Sequence, residues 1–270
     1  MSALPPPLLP TARVGFAGAS VHAGERVLAE ETPVALAYDG ATHAVMMASP
    51  ADLEDFALGF SLSEGIVASA DAIEEMEVVP RGDLGVEVRM RLAEATGLRH
   101  VRRRRALAGP VGCGLCGVQA LEEAVRAADR VTAPLRLWPG AVAAALGALP
   151  AAQAMNRDAH ALHAAGFWRP DGGLLAVRED VGRHNALDKL AGALARRGVD
   201  GGTGMVVLTS RVSVEMVQKA ARIGAPVIAA VSAPTALAVR AAEACGITLV
   251  AVARGDAFEV FTHPGRVIAS

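Results

Sequence analysis

Four short apolar runs in the C-terminal half constrain the fold most: Leu174-Leu175-Ala176-Val177, Met205 to Thr209, Val227 to Val231 and Ile247 to Val252. Each reads as a buried strand, and the stretches between them carry helical periodicity. The first helix is expected from about Ala186 to Arg197, stopped by Gly198. The second is capped by Ser213 and runs to Ile223, ended by Gly224 and Pro226. The third spans about Thr235 to Cys245 and ends at Gly246. Strand and helix alternating over short connections argue for an α/β unit with a largely parallel sheet covered on both faces. No Gly-x-Gly-x-x-Gly or Walker A loop sits at the strand–helix junctions, which disfavours an ordinary dinucleotide fold.

Ligands of such sheets bind beyond the carboxyl ends of the strands. Four polar loops fall there: Arg178-Glu179-Asp180-Val181-Gly182-Arg183-His184-Asn185, Ser210-Arg211, Ser232-Ala233-Pro234-Thr235 and Ala253-Arg254-Gly255-Asp256. Arg183, Arg211 and Arg254, beside the helix start at Ser213, suit an anion, most simply a phosphate. Asp256 could accept hydrogen bonds from a base edge. Ordinary surface loops with caps and salt bridges are the alternative. The first loop resists it, because six of its eight residues are charged or strongly polar.

The N-terminal half reads as mixed α+β. Val27 to Ala37 and Ala44 to Ala48 have strand character, with a turn at Tyr38-Asp39-Gly40. Ser49-Pro50-Ala51-Asp52 offers a helix N-cap, followed by Leu53, Phe56, Ala57 and Phe60 on one face and a stop at Gly65. Ile73 to Val79 and Val86 to Leu92 form a further strand pair. The expected division is a flexible tail over 1–20, an α+β domain over 21–133 and an α/β domain over 134–270. With 270 residues, 52% of them hydrophobic, the chain can build a substantial core, and a formal net charge of −2 gives no global argument for nucleic acid or an anionic membrane. The opening residues lack the basic start and apolar core of a signal peptide. Two uncharged runs, Trp138 to Met155 and Ile223 to Val239, are interrupted by prolines and do not read as membrane spans. A soluble, cytoplasmic protein is expected.

Cysteine use is sparse and concentrated. Cys113 and Cys116 lie in Gly112-Cys113-Gly114-Leu115-Cys116-Gly117, while Cys245 stands alone. Val118, Leu121 and Val125 place a helix directly after the pair, so both sulfurs fall near a helix N-terminus that favours thiolate. Glycines on either side leave them unshielded. Half of a zinc site, completed by His160 and His163, a thioredoxin-like dithiol and an incidental loop are the competing readings. Arg102 to Arg105, just upstream, is either a solvated face or an attractor for an anionic partner.

Arg178-Glu-Asp-Val-Gly-Arg-His-Asn-Ala-Leu-Asp-Lys189 resembles the signature of the formate dehydrogenase accessory sulfurtransferases, the FdhD proteins. Asp52-Leu-Glu-Asp-Phe-Ala-Leu-Gly-Phe60, the Cys113/Cys116 loop, Ser210-Arg-Val-Ser-Val-Glu-Met216 and Ser232-Ala-Pro-Thr-Ala-Leu-Ala238 match in order. The resemblance covers about Glu30 to His263. It implies a sulfur carrier that takes persulfide sulfur from a cysteine desulfurase onto Cys113, with Cys116 in support. It further implies transfer of that sulfur to a molybdenum bis(guanine dinucleotide) cofactor for formate dehydrogenase. The family's nucleotide-binding segment falls on Val252, Ala253, Arg254, Gly255, Asp256 and Ala257, joined here by Ser210, Arg211, Arg183 and His184. A homodimer and a cytidine-deaminase-like C-terminal domain are also implied; the deaminase His-x-Glu motif is absent and no resident metal is expected. One departure stands out: many members carry Thr-Gly-Gly-x-His-Ala-Ala where this chain has Ala159-His160-Ala161-Leu162-His163-Ala164-Ala165. His163 matches the family histidine, but the glycine pair is missing and His160 has no assigned role. The rival functions are a zinc-dependent hydrolase or deaminase using Cys113 and Cys116, and a scaffold that only delivers cofactor.

Overall fold

Period-two alternation decides which residues meet across the C-terminal sheet. The computed structural model describes residues 3–94, 96 and 129–268. Strands β7 (His163–Arg169), β8 (Gly173–Asp180), β9 (Met205–Leu208), β10 (Val227–Ala230), β11 (Thr248–Arg254) and β12 (Ala257–Val260) form one sheet in the order β12-β11-β10-β9-β7-β8. Val206, Leu208, Ile228, Ala230, Leu249 and Ala251 face one core. Met205, Val207, Val227, Ala229 and Val250 face the other. Helices α4 (Arg183–Arg196), α5 (Val214–Ile223) and α6 (Ala236–Cys245) contribute to the first core, and α2 (Pro139–Ala152) closes the second. The sheet is therefore covered on both faces, as expected.

Its orientation corrects the expected parallel sheet. β9, β10 and β11 pair parallel, but β7–β8, β7–β9 and β11–β12 are antiparallel, so the sheet is mixed. The four strands legible in the sequence do share one direction. The two missed strands, β7 and β12, run against them, and β7 wedges between β8 and β9.

The N-terminal unit is a second sheet, β4-β3-β6-β5, built from β3 (Thr32–Tyr38), β4 (Ala41–Ala48), β5 (Ile73–Pro80) and β6 (Val86–Leu92). Asp39 and Gly40, at φ 49° and 79°, close the β3–β4 hairpin as a two-residue turn with both centres left-handed. Helix α1 (Leu53–Ser63) packs Leu53, Phe56, Ala57 and Phe60 into the core of this sheet. The expected single strand from Val27 to Ala37 is two strands, broken at Glu30 and Glu31. The expected tail over 1–20 holds β1 (Leu8–Ala17), which pairs with β2 (Ser20–Ala29) in a separate hairpin. Short helix α3 (Asn156–Ala159) lies just before β7.

Helices α1 and α4 cross at backbone contact and join the two units. A Cβ on Gly59 would stand 1.7 Å from the Asp188 carbonyl oxygen, and one on Gly192 would stand 1.9 Å from that of Asp55. Only glycine at both positions permits this approach. Between this crossing and the two sheet cores, eight residues of α1 and ten of α4 are buried.

Candidate functional site: an arginine-lined mouth at the strand ends

The polar segment Arg178 to Lys189 divides into residues that clamp the units together and residues that stay open. Arg178 donates to Asp55 Oδ2 at 2.6 and 2.8 Å, and Arg196 adds a contact to Asp55 Oδ1 at 3.1 Å. Glu179 accepts from the Met155 and Asn156 amides at 2.9 and 2.8 Å, satisfying the start of α3. Asp180 and Lys189 form an ion pair at 2.7 Å with both side chains fully buried. Asp180 also accepts from Gly182 N, Asn185 Nδ2 and Ser49 N. Lys189 donates to the Ser49 carbonyl at 2.9 Å, and Asn185 donates to that of Met47.

Ser49 is thus not the cap expected of it. Asp52, left-handed at φ 53°, precedes α1 without a side-chain cap bond. The Ser49 hydroxyl instead accepts from Val181 N at 3.1 Å. Asp188 binds Ser63 at 2.6 Å and Lys219 at 2.8 Å. Burial pushes the Asp188 carboxyl up, with Lys219 and Ser63 opposing, while Asp188 and Glu64 outweigh burial at Lys219 and push its pKa up.

Arg183 and His184 belong to the other group. Helix α4 begins at Arg183, three residues earlier than its periodicity predicts, so both sit in its first turn. Arg211 lies in the loop after β9. Burial and the charge of Arg211 both lower the pKa of Arg183, with Glu215 opposing, which places these three groups within mutual electrostatic reach. His163, the first residue of β7 and paired in register with Asp180, has its pKa lowered by burial and by Arg183. The imidazole is therefore neutral at neutral pH. Glu215, in the first turn of α5, is held at about 2 by the His184 ring 3.9 Å away, helped by Ser213 and opposed by burial. Neither neighbour reaches hydrogen-bond geometry: Arg183 Nε, His184 Nε2, Ser213 Oγ and Glu215 Oε2 are buried without partners. Buried polar atoms in native proteins are normally paired, so four orphans in one place mark a site for something else.

Two of the three expected arginines meet here. Arg254 donates from Nη1 to the Val231 and Ala253 carbonyls at 2.6 and 2.7 Å. Ala253 and Arg254 are still strand, and Gly255 and Asp256 form an exposed two-residue turn into β12. Val252 is left-handed at φ 56°, within the register shift of β11. A β-branched residue held there stores on the order of 1–3 kcal/mol, a cost concentrated at functional segments. Ser210 is buried and donates to the Arg211 carbonyl at 3.0 Å, shaping the loop that carries Arg211. Cys113, Cys116, the helix expected after them and Arg102 to Arg105 lie outside the described residues.

The FdhD/NarQ family matches residues 29–268. The chain belongs to this family. A sulfur carrier protein FdhD from Agrobacterium fabrum is 54% identical over 259 residues, covering 95% of each chain. One from Brucella abortus is 53% identical over 246 residues, covering 91% of each. Among solved structures, a candidate formate dehydrogenase accessory protein from Desulfotalea psychrophila superposes with TM-score 0.78 at 26% identity, covering 97% of this chain and all of that one.

In this FdhD/NarQ chain, sequence reasoning about the strand ends missed Ser213 as more than a cap, Glu215 altogether, and the place of His163 beside Arg183. The signal for Glu215 was available: a carboxylate two positions past a helix start, after an arginine loop. Among the described residues no group of three or more histidine, cysteine, aspartate or glutamate side chains could hold a metal ion, and no helix is long and apolar enough to cross a membrane.

Proposed function

We propose that the protein is a cytoplasmic sulfurtransferase, a persulfide carrier serving formate dehydrogenase. The observation that carries this reading is the 54% identity, over 95% of the chain, to a sulfur carrier protein FdhD. The glycine-flanked Cys113 and Cys116 supply the chemistry. The Cys113 thiolate attacks the outer sulfur of a cysteine desulfurase persulfide, the S–S bond breaks, and the desulfurase leaves as a thiolate. No net oxidation occurs in that step. Cys116 then attacks the inner sulfur of Cys113, forming a Cys113–Cys116 disulfide and expelling hydrosulfide with the electron pair. That sulfide is delivered to the molybdenum of the bis(guanine dinucleotide) cargo, and a cellular dithiol reduces the disulfide for the next cycle.

The open cluster supports an anionic cargo. Arg183, at the start of α4, has its Nε without a partner among the described residues, Arg211 lies in the loop leading into α5, and two helix N-termini add N–H donors. The strained turn over Val252 to Ala257 is the second element of the cofactor site. The C-terminal unit is of the cytidine-deaminase-like kind, and a homodimer is the working assembly.

Intact mass tests the transfer directly. After incubation with a cysteine desulfurase and cysteine, the wild type is expected to gain one reducible sulfur atom and Cys113→Ala none. No gain on either protein, with the desulfurase demonstrably active, overturns the reading.

A further inference from the structure

The mouth at the starts of α4 and α5 offers more than an anion alone can use. Ser213 is 9% exposed with its hydroxyl unpartnered, and Arg183 Nε and His184 Nε2 are orphaned beside it. Glu215 Oε2 is orphaned too, 3.9 Å from His184 Nε2. A carboxylate in this position repels a phosphate dianion, and leaving its buried oxygen without a donor is costly. Its natural complement is a ligand bringing N–H groups to Glu215 and carbonyl oxygens to the arginines.

We propose that Glu215 reads the 2-amino-4-oxopyrimidine edge shared by guanine and pterin, accepting from the exocyclic amino group and the adjacent ring N–H. Arg183 donates to the ring oxygen, and Arg211 remains with phosphate. Adenine presents an amino group beside a ring acceptor instead, so its edge fails against a carboxylate. Asp256, the base-edge reader expected from sequence, stands on the exposed β11–β12 turn beside an arginine engaged by backbone. The assignment rests on the guanine-bearing cargo proposed above, and deepens it by naming the group that selects the ring.

Calorimetric titration of the full chain with GDP, IDP and ADP, and fluorescence titration with 6-hydroxymethylpterin and its lumazine counterpart, test this. IDP lacks the amino group, and the lumazine carries oxygen in its place. Wild type is expected to prefer GDP over IDP, or the pterin over the lumazine, by about tenfold or more. Preference confined to GDP locates guanine in the site; preference confined to the pterin locates the pterin ring. Glu215→Gln should bring the ratio close to one. Glu215→Asp, which keeps the charge, should weaken binding but retain the preference. A Gln variant that binds with the wild-type ratio overturns this inference alone. Wild type that binds neither GDP nor the pterin sinks it together with the guanine-bearing cargo.

Discussion

Two sets of charges lie within one dodecapeptide, and they do opposite things. Asp180 and Lys189 are bound to each other and to the Ser49 backbone of the other unit and have no exposed surface, Arg178 is bound to Asp55, and Asp188 to Lys219 and Ser63. Arg183 and His184 sit between them in sequence, yet Arg183 Nε and His184 Nε2 have no hydrogen-bond partner, and His184 Nε2 stands 3.9 Å from Glu215 Oε2. The clamp turns polar residues into structure by pairing them. The mouth turns them into a site by leaving valences unsatisfied. Composition cannot separate the two, because the same residue types serve both.

The sharpest way to break this contrast is to remove one member of the clamp. Lys189→Ala leaves Asp180 buried without its counter-charge, and losing one partner of a buried pair costs about 3–5 kcal/mol. Urea denaturation should show a loss of that order, with the Ser49 carbonyl no longer tied to α4. A variant as stable as wild type would mean that the Asp180 hydrogen bonds carry the clamp unaided.

The helix crossing is the next test. Gly59→Ala puts a methyl group where the Asp188 carbonyl stands, and the helices must part. Overpacking of this kind costs about 1–3 kcal/mol. Because α1 also carries Asp55 against Arg178, the loss should exceed that of Gly147→Ala, an α2 position with open space around the added carbon. Thermal melts of the two variants check the ranking.

Arg183→Ala and Arg211→Ala sharpen the comparison from the other side. The charge of Arg211 works against Arg183, with Glu215 opposing, so stability should change by about 0.5 kcal/mol or less. Binding of an anionic nucleotide should fall at least tenfold in the same variants. Loss of stability without loss of binding would place these arginines with the clamp.

Much of this was legible before the structure. The apolar runs at 174–177, 205–209, 227–231 and 247–252 and the helices between them carry a strong period, and four strands and three helices lie where they predict. β7 escaped because His163–Arg169 interleaves small residues with aromatics and has no turn signal ahead of it. β12 escaped because it is four residues long, half exposed and joined by a turn that reads as loop. Orientation was not readable at all: nothing in β8 or β9 announces that an antiparallel strand will insert between them. The mouth was half legible. Clustered charge flagged the segment that holds Arg183 and His184, but most of that charge belongs to the clamp, since a sequence shows which groups are polar and not which remain unpaired.

The smallest expected effect concerns Glu215 and acid. Its folded pKa, about 2, lies below the ordinary 4.5, so ionisation favours the folded state. The stabilisation is complete above the unfolded value and disappears as pH falls from about 4.5 towards about 2. Glu215 is only partly buried, so solvent screening shrinks the energy well below what the shift alone would give. Removing the carboxylate with Glu215→Gln should flatten the acid limb of the stability profile in that window and leave it unchanged above pH 5. The clamp pairs titrate in both proteins, so the difference curve isolates the mouth. An acid limb identical in both would show that the His184–Glu215 pair does no structural work, leaving the carboxylate to ligand binding alone.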